Sequence, residues 1–207
     1  MSFIKRIHSG SGKPLKLIIL GEGGVGKTTI AKTFVNNSFF SEAKQTIAVE
    51  FHTTIFSISH SKNENTKIQI WDLGGQEQFK NMGIFREYCR GADVAILCFD
   101  LTDISSLFTL PEWIDFLESD TPRILVGTKY DLTTLEERNI DISNYINKFN
   151  CSKSFMCSAK DLRSVTEIFR QTILLIKKEK ESLIEKSHDS QPNRSRWMKL
   201  IPKLVQE

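Results

Sequence analysis

A glycine-rich segment near the start of the sequence has the residue types that bind phosphate. Residues 21–28 read GEGGVGKT and match the pattern GxxxxGK[ST]. Glycines let the backbone pass close to a phosphate with successive N–H groups turned toward it. Lys27 can reach the β- and γ-phosphates of a nucleotide, and the Thr28 hydroxyl can ligate magnesium. The segment predicts a nucleoside-triphosphate site, but it does not choose between adenine and guanine.

Four further segments carry residues that could complete such a site. They are QTIAVEF at 45–51, WDLGGQE at 71–77, GTKYD at 127–131 and CSAK at 157–160. The last three follow short apolar runs that read as strands. The choice of base must come from these segments.

Alternating strands and helices are predicted to position the segments. Strands are predicted at 15–20, 49–59, 66–71, 94–99, 123–126 and 154–157, and helices at 27–36, 77–90, 105–117, 135–149 and 164–186. A polar hairpin at 61–65 joins the second and third strands, and Pro111 is expected to kink or shorten the third helix. The alternation predicts an α/β fold with a doubly wound, mostly parallel six-stranded sheet flanked by about five helices.

Composition excludes several classes of protein. The 207 residues are 40% hydrophobic and 26% charged, with a net charge of +3, as in ordinary globular proteins. The longest apolar run, 94–99, is far shorter than the roughly 18 residues of a membrane-spanning helix. The net charge is too small to indicate nucleic-acid binding. No two of the four cysteines form a CxxC pair, so we expect reduced thiols in a cytoplasmic protein and no zinc site.

In this order and spacing, the five segments resemble the Ras superfamily of small GTPases over about residues 15–180. TIAVEF and WDLGGQE look most like the Rab branch. WDLGGQ with VGTKYDL is also similar to the septum-promoting GTPases of fungi, and the two glycines before Gln76 are similar to the Arf branch. The resemblance implies the small G-protein fold of the P-loop NTPases. It also implies bound GTP or GDP with Mg²⁺, and slow hydrolysis of GTP.

The resemblance assigns residues to the nucleotide. Asp131 would select guanine, because a carboxylate can accept hydrogen bonds from the ring N–H and the exocyclic amine together. Lys129 would lie over the ring plane, Ala159 would offer its backbone N–H to the guanine oxygen, and Phe39 would stack edge-on. The full implied binding set is Gly21, Gly23, Gly24, Val25, Gly26, Lys27, Thr28, Thr29, Phe39, Thr46, Gly75, Thr128, Lys129, Asp131, Ser158, Ala159 and Lys160.

Hydrolysis and switching are implied for a second set. Gln76 would orient the attacking water, with Lys27 and the N–H of Gly75 on the γ-phosphate. Mg²⁺ would be held by Thr28, Thr46 and Asp72. Gly23 would leave room that a side chain would take from Gln76 or an incoming arginine. No arginine lies between residues 29 and 46, so an activating protein is expected to supply help.

The sequence departs from the family pattern at several positions. Thr128 replaces the commonest asparagine, Ala48 replaces a glycine, and Leu73-Gly74 replace Thr-Ala. The changes at 48, 73 and 74 are expected on the surface that partners read. Trp71 fits either of two interpretations, an exposed hydrophobic triad or an aromatic packed over the sheet.

The ends differ in charge from the domain between them. We expect a basic flexible extension at 1–14, the GTPase domain at 15–186 and a basic, apolar tail at 187–207. The sequence has no terminal cysteine and has Ser2 where myristoylation needs glycine, so no lipid anchor motif is expected. Weak membrane contact through the basic ends is one hypothesis. The alternative is disordered ends or a tail that packs on the domain.

The predicted function is a monomeric switch with an exchange factor, an activating protein and effectors, acting in trafficking or signalling. An alternative is an interaction module that holds GTP or GDP with little turnover. A P-loop kinase or ATPase is disfavoured by Asp131 and Lys129.

Overall fold

The structure is a computed structural model that describes residues 13–40, 45–58, 65–76, 83–138 and 140–189, without the side chains of 138 and 183–189. The six strands are β1 (Leu15–Leu20), β2 (Val49–Ser57), β3 (Asn65–Leu73), β4 (Val94–Asp100), β5 (Arg123–Thr128) and β6 (Lys153–Met156). The helices are α1 (Lys27–Asn36), α2 (Ile84–Cys89), α3 (Ser105–Phe108), α4 (Leu110–Ile114), α5 (Leu135–Arg138), α6 (Ser143–Lys148) and α7 (Leu162–Asp189).

One six-stranded sheet has the order β2-β3-β1-β4-β5-β6. Only β2 and β3 pair antiparallel, and the other four pairs are parallel. Every residue of β4 and β5 is buried, as expected for interior strands covered on both faces. The predicted doubly wound, mostly parallel sheet is confirmed.

Two hydrophobic layers cover the sheet. On one face α1 and α7 pack together, with the rings of Phe34 and Phe169 stacked 3.8 Å apart. On the other face Phe85 of α2 packs against Trp113 of α4 at 5.9 Å. The layers fix the carboxyl ends of β1, β3 and β5 at one edge, where the loops after them meet.

Two predicted helices are each divided, so the described part of the chain has seven α-helices instead of about five, besides a 3₁₀ turn at Tyr130–Leu132. The helix expected at 105–117 breaks at Thr109, and Pro111 lies in the first turn of α4, where its missing N–H costs nothing. The single helix expected at 135–149 is wrong. Residues 140–142 are not helical, and α6 begins at Ser143, whose N–H donates to Asp141 at 2.9 Å.

Other boundaries shift by a few residues. Of the helix predicted at 77–90, the described part is helical over Ile84–Cys89, and residues 77–82 lie outside the described ranges. The hairpin predicted at 61–65 lies mostly outside them as well. So do most of the N-terminal extension and of the C-terminal tail.

No helix within the described ranges combines the length and the apolar character that crossing a bilayer requires. All four cysteines are free thiols, and three of them are buried.

Candidate functional site

The predicted phosphate-binding loop lies between the end of β1 and the start of α1. Gly24 and Gly26 have φ angles of +79° and +98°, a region that strains any residue with a side chain. At Gly21 a Cβ atom would collide with the carbonyl oxygen of Cys98 on β4. Gly26 precedes α1 with no side-chain cap, so the first N–H groups of the helix face the loop and favour an anion.

Lys27 places its positive charge inside this loop. Its Nζ atom donates to the carbonyl oxygens of Gly21 and Glu22, each at 2.7 Å, and the residue is only 5% exposed. An ammonium group held there by backbone oxygens lies where the phosphates of a nucleotide would pass.

Glu22 connects the loop to the helical layer. The indole Nε1 of Trp113 donates to Glu22 Oε1 at 3.3 Å, and Trp113 is fully buried on α4. The ammonium of Lys27 lies 5.9 Å from the centre of the Trp113 ring. The buried Trp113 side chain therefore holds the loop through Glu22.

Three oxygen-bearing side chains predicted to hold a metal meet beside the loop. Thr28 Oγ1 donates to Asp72 Oδ2 at 2.5 Å and lies 2.6 Å from Thr46 Oγ1. Thr46 Oγ1 is 3.4 Å from the same carboxylate oxygen. Asp72 is fully buried, and this burial raises the pKa of its carboxyl group. Two hydroxyls and a buried carboxylate are hard oxygen donors that fit Mg²⁺, which would offset the cost of the buried charge.

The segments after β3 and before β2 are joined by backbone contacts. Gly74 donates its N–H to the Ala48 carbonyl at 2.8 Å. A Cβ atom at Gly74 would lie 2.7 Å from the Thr46 oxygen, and one at Gly75 would collide with the Glu22 backbone. Glycine at both positions therefore lets the segment lie against the phosphate-binding loop.

Two expectations about this region are corrected. Leu73 and Gly74 are buried, so they do not lie on an exposed partner-reading surface. A Cβ atom at Gly23 would lie 3.5 Å from the Gly75 oxygen and 4.0 Å from Gln76 Cγ. These are ordinary contacts, so crowding of Gln76 requires a side chain longer than that of alanine.

The residues predicted to bind the base lie where β5 and β6 end. Asp131 accepts hydrogen bonds from Ser158 Oγ at 2.7 Å and pairs with Lys160 Nζ at 2.8 Å. These contacts, Lys160 first, hold the pKa of Asp131 below its usual value. Tyr130 donates its N–H to the Cys157 carbonyl at 3.1 Å. The GTKYD and CSAK segments are thus joined and present an ionised carboxylate.

Lys129 has a partner that sequence reasoning missed. Its Nζ lies 2.6 Å from Asp100 Oδ2, and the Asp100 carboxylate also accepts from the N–H and hydroxyl of Thr102. With the head group held, the aliphatic stem of Lys129 is fixed for packing against a ring. The sequence did hold a signal for this pair: Asp100 ends β4, and β4 pairs with β5, the strand that precedes Lys129.

One cleft of about 390 Å³ brings most of the predicted phosphate and hydrolysis residues together. It is lined by Gly23, Gly24, Gly26, Lys27, Thr28, Thr29, Gln45, Thr46, Gly75 and Gln76. Gln45 was missed by the sequence interpretation. Val25 is buried behind the cleft, and Ala159 packs against the core. Phe39 is 44% exposed, and no ring contact within the described ranges places it against the base-binding residues.

Trp71 lies in an aromatic group outside the cleft. Phe51 meets it edge-on at 4.5 Å, Tyr88 lies 5.9 Å away, and the ammonium of Lys16 lies 3.7 Å over its ring. Phe51 is 50% exposed. Trp71 therefore packs on the sheet and belongs to a partly exposed aromatic cluster, so each interpretation is partly right.

Comparison with known proteins agrees with this geometry. The family model described as the Ras family matches residues 16–178, which is most of the chain. The Ras-related protein RABG3b of Arabidopsis thaliana is 38% identical over 126 residues, or 57% of this chain. The aligned part spans 60% of the length of that relative. The chain belongs to the Ras family of small GTPases.

Proposed function

We propose that this protein is a molecular switch that binds GTP and GDP with Mg²⁺ and slowly hydrolyses GTP to GDP and phosphate. The observation that carries the proposal is the meeting of Thr28, Thr46 and Asp72 beside the Lys27 loop. Gly75 and Gln76 line the same cleft. One phosphate group in the cleft would therefore lie within reach of three features. They are a positive charge, a set of oxygens that can bind a metal, and an amide that can orient water.

Each residue at the phosphates has a distinct role in this proposal. The N–H groups of the loop and the Lys27 ammonium would bind the phosphate oxygens. Thr28 and Thr46 would hold Mg²⁺, with Asp72 supporting it through water, and the ion would neutralise charge on the phosphates. Gln76 would align a water molecule with the γ-phosphorus, opposite the bridging oxygen that leaves with GDP.

Guanine would be selected by Asp131. Its ionised carboxylate, held by Ser158 and Lys160, can accept the two hydrogen bonds that guanine offers and adenine does not. Lys129 would pack on one face of the base, Ala159 would donate to the guanine oxygen, and Phe39 would stack at the edge. Thr128 would support the loop behind them.

Switching would follow from the loss of the third phosphate. Thr46 and Gly75 would both contact it, and Gly74 and Ala48 already join their segments. Hydrolysis would remove a shared anchor and let the two segments relax. An exchange factor and an activating protein would set the rates, and effectors would read the surface around Phe51 and Trp71.

The wider role rests on the resemblance to Rab proteins. We propose a monomeric domain at 15–186 that acts in the cytoplasm in trafficking or signalling, with basic ends at 1–14 and 187–207 that could contact an anionic membrane. Comparing the full chain with a 15–186 fragment in liposome sedimentation tests the last point. Equal sedimentation of the two would contradict it.

The central test uses the purified full chain and a fluorescent GDP. GTP and GDP should displace the probe and ATP should not, and equal displacement by ATP would contradict the assignment of Asp131. In a single-turnover assay, GTP hydrolysis should be slow, of order 10⁻⁴ to 10⁻² per second. Turnover at several per second without a partner would contradict the need for an activating protein.

Variants separate a switch from a module that only binds nucleotide. Gln76→Leu should slow single-turnover hydrolysis by about tenfold or more, because the water loses its orienting amide. Gln69→Leu is the matched control, since Gln69 lies on β3 outside the cleft. An unchanged rate in Gln76→Leu, with nucleotide still bound, would favour the interaction module.

A further inference from the structure

Glu50, His52 and Asp72 form a cluster of side chains whose types can ligate a metal ion. Glu50 and His52 alternate along β2, so their side chains share one face of the sheet. Glu50 pairs directly with Asp72 of β3. One ligand atom from each of the three residues lies within 4.8 Å of the other two.

Two atoms of this cluster are buried without a hydrogen-bond partner in the part of the chain that the structure describes. They are His52 Nε2 and Asp72 Oδ1. The His52 side chain is 10% exposed, and Glu50 Oε1 lies 3.9 Å from Nε2, beyond hydrogen-bond distance. Buried polar atoms left unpaired are unfavourable by about 1–3 kcal/mol each. Both atoms belong to residues of the cluster, so a ligand bound there would supply the missing partners.

Asp72 can bind a second cation because its two carboxylate oxygens have different partners. Oδ2 accepts hydrogen bonds from Thr28 and Thr46, while Oδ1 accepts none from the described residues. A cation at Oδ1 would therefore not have to displace the group that Thr28 and Thr46 hold.

Two lysines oppose a cation in the cluster: Lys27, whose charge acts on Asp72, and Lys32, which pairs with Glu50. Lys32 of α1 lies 3.0 Å from Glu50 Oε1, and its side chain is 21% exposed. It also lies 5.4 Å over the ring of Phe40, which is itself partly exposed. The ammonium can therefore swing outward when a stronger cation takes the Glu50 oxygen.

We propose that Glu50, His52 and Asp72 form a second cation site that binds a first-row divalent transition metal, with Zn²⁺ as the best match. One imidazole and two carboxylates, with a water, make a four-coordinate set that suits Zn²⁺. The imidazole nitrogen favours Zn²⁺ over Mg²⁺. Bonds of about 2.0–2.2 Å require the ligand atoms, now within 4.8 Å of one another, to move closer together when the ion binds.

The proposed site would connect β2, which begins shortly after Thr46, to Asp72, which also belongs to the proposed nucleotide site. An ion there would hold the start of β2 against β3 and fix the orientation of the Asp72 carboxylate. The proposal uses the side chains alone and does not depend on which nucleotide is bound.

The test titrates Zn²⁺ into the GDP-loaded full chain with Mg²⁺ in excess, using calorimetry and competition with a chromogenic chelator. One Zn²⁺ should bind to the unsubstituted protein. His52→Ala and Glu50→Gln should each weaken binding at least tenfold, and Lys32→Met should tighten it by removing the competing ammonium. His188→Ala is the matched control and should leave the affinity unchanged.

Several results would overturn the proposal. They are no Zn²⁺ bound by the unsubstituted chain, equal affinity in His52→Ala, or loss of affinity only in His188→Ala. Co²⁺ absorption gives a second readout, since its visible bands should disappear with His52→Ala. Glu50 is 39% exposed, so Glu50→Gln keeps the test valid if His52→Ala fails to fold. Nucleotide content, measured separately by chromatography, shows whether the switch proposal fails on its own.

Discussion

The hydroxyl of Thr128 lies 2.5 Å from the carbonyl oxygen of Val25 and 3.0 Å from that of Phe99. Thr128 is the last residue of β5, Val25 belongs to the phosphate-binding loop, and Phe99 lies on β4. One buried hydroxyl therefore joins the strand end predicted to bind the base to the loop predicted to bind the phosphates. It gives a physical role to the threonine that stands where the family most often has asparagine.

Removing this hydroxyl should loosen both ends of the site. Thr128→Val keeps the shape but removes the one proton that the two buried carbonyl oxygens share, so the free energy of unfolding should fall by about 1–3 kcal/mol. Release of a fluorescent GDP should also become faster. Thr128→Ser keeps the hydroxyl. Its free energy of unfolding, measured by urea denaturation, should stay within about 1 kcal/mol of that of the original protein. Equal stability of the valine and serine variants would contradict the bridging role.

Gly75 should tolerate no side chain in the GTP-bound state. A Cβ atom there collides with the backbone of Glu22 and Gly23, so Gly75→Ala must move away from the loop. Its N–H would then miss the γ-phosphate, at a cost of about 1.5–3 kcal/mol, or roughly ten- to hundredfold in affinity for a GTP analogue. Affinity for GDP should change much less.

Gly23→Ala is the matched comparison, because its Cβ atom meets only ordinary contacts. Competition assays with a non-hydrolysable GTP analogue and with GDP compare the two variants. A Gly75→Ala protein that keeps the original ratio of the two affinities would contradict the predicted contact.

Ala48 is strained where it stands. Its φ angle is +58°, and a left-handed conformation costs a residue with a side chain roughly 1–2 kcal/mol. Ala48→Gly should therefore raise the free energy of unfolding by about 0.5–1 kcal/mol, after the larger flexibility of glycine in the unfolded chain is subtracted. Ala92→Gly, at a buried position without positive φ, should lower stability. Urea denaturation measures the free energy of unfolding of both variants. A lower value for Ala48→Gly than for the original protein would contradict the predicted strain at Ala48.

Asp131 should stay ionised across the whole neutral range. Lys160 and Ser158 lower its pKa, so its contribution to the folded state is full above the unfolded value near 4 and is lost only as pH falls through the lower folded value. Ser158→Ala should move the pKa of Asp131 upward, toward its usual value. Carboxyl ¹³C titration by NMR measures this, and an unchanged pKa in the variant would show that Ser158 does not stabilise the charge.

Much of the site follows from the sequence because its chemistry is local in the chain. GEGGVGKT carries its own turn, helix start and charge, so residues 21–28 can be interpreted without a partner segment. The contacts that were missed join residues far apart in sequence, such as Asp100 with Lys129 and Glu22 with Trp113. Such pairs come together only when the strands and helices pack in their final order. That order cannot be derived from the residue types of a single sequence.

The prediction of one helix over 135–149 failed for a different reason. Residues 135–149 are polar and apolar at helical spacing, but the Asp141 side chain competes for the Ser143 N–H, and residues 140–142 are not helical. Leu73 was placed on the surface because the resemblance puts its segment where partners read the family. It is the last residue of β3 and packs in the core.

The antiparallel pair of β2 and β3 also offers a place for a reporter. Val49 pairs with Leu73 at the nucleotide edge, and Ser57 pairs with Asn65 at the other end, about 27 Å away at the usual rise per residue. A fluorophore or short affinity tag inserted in the connection between Ser57 and Asn65 would be remote from the bound nucleotide. It could report on partner binding while leaving the chemistry at Lys27 undisturbed.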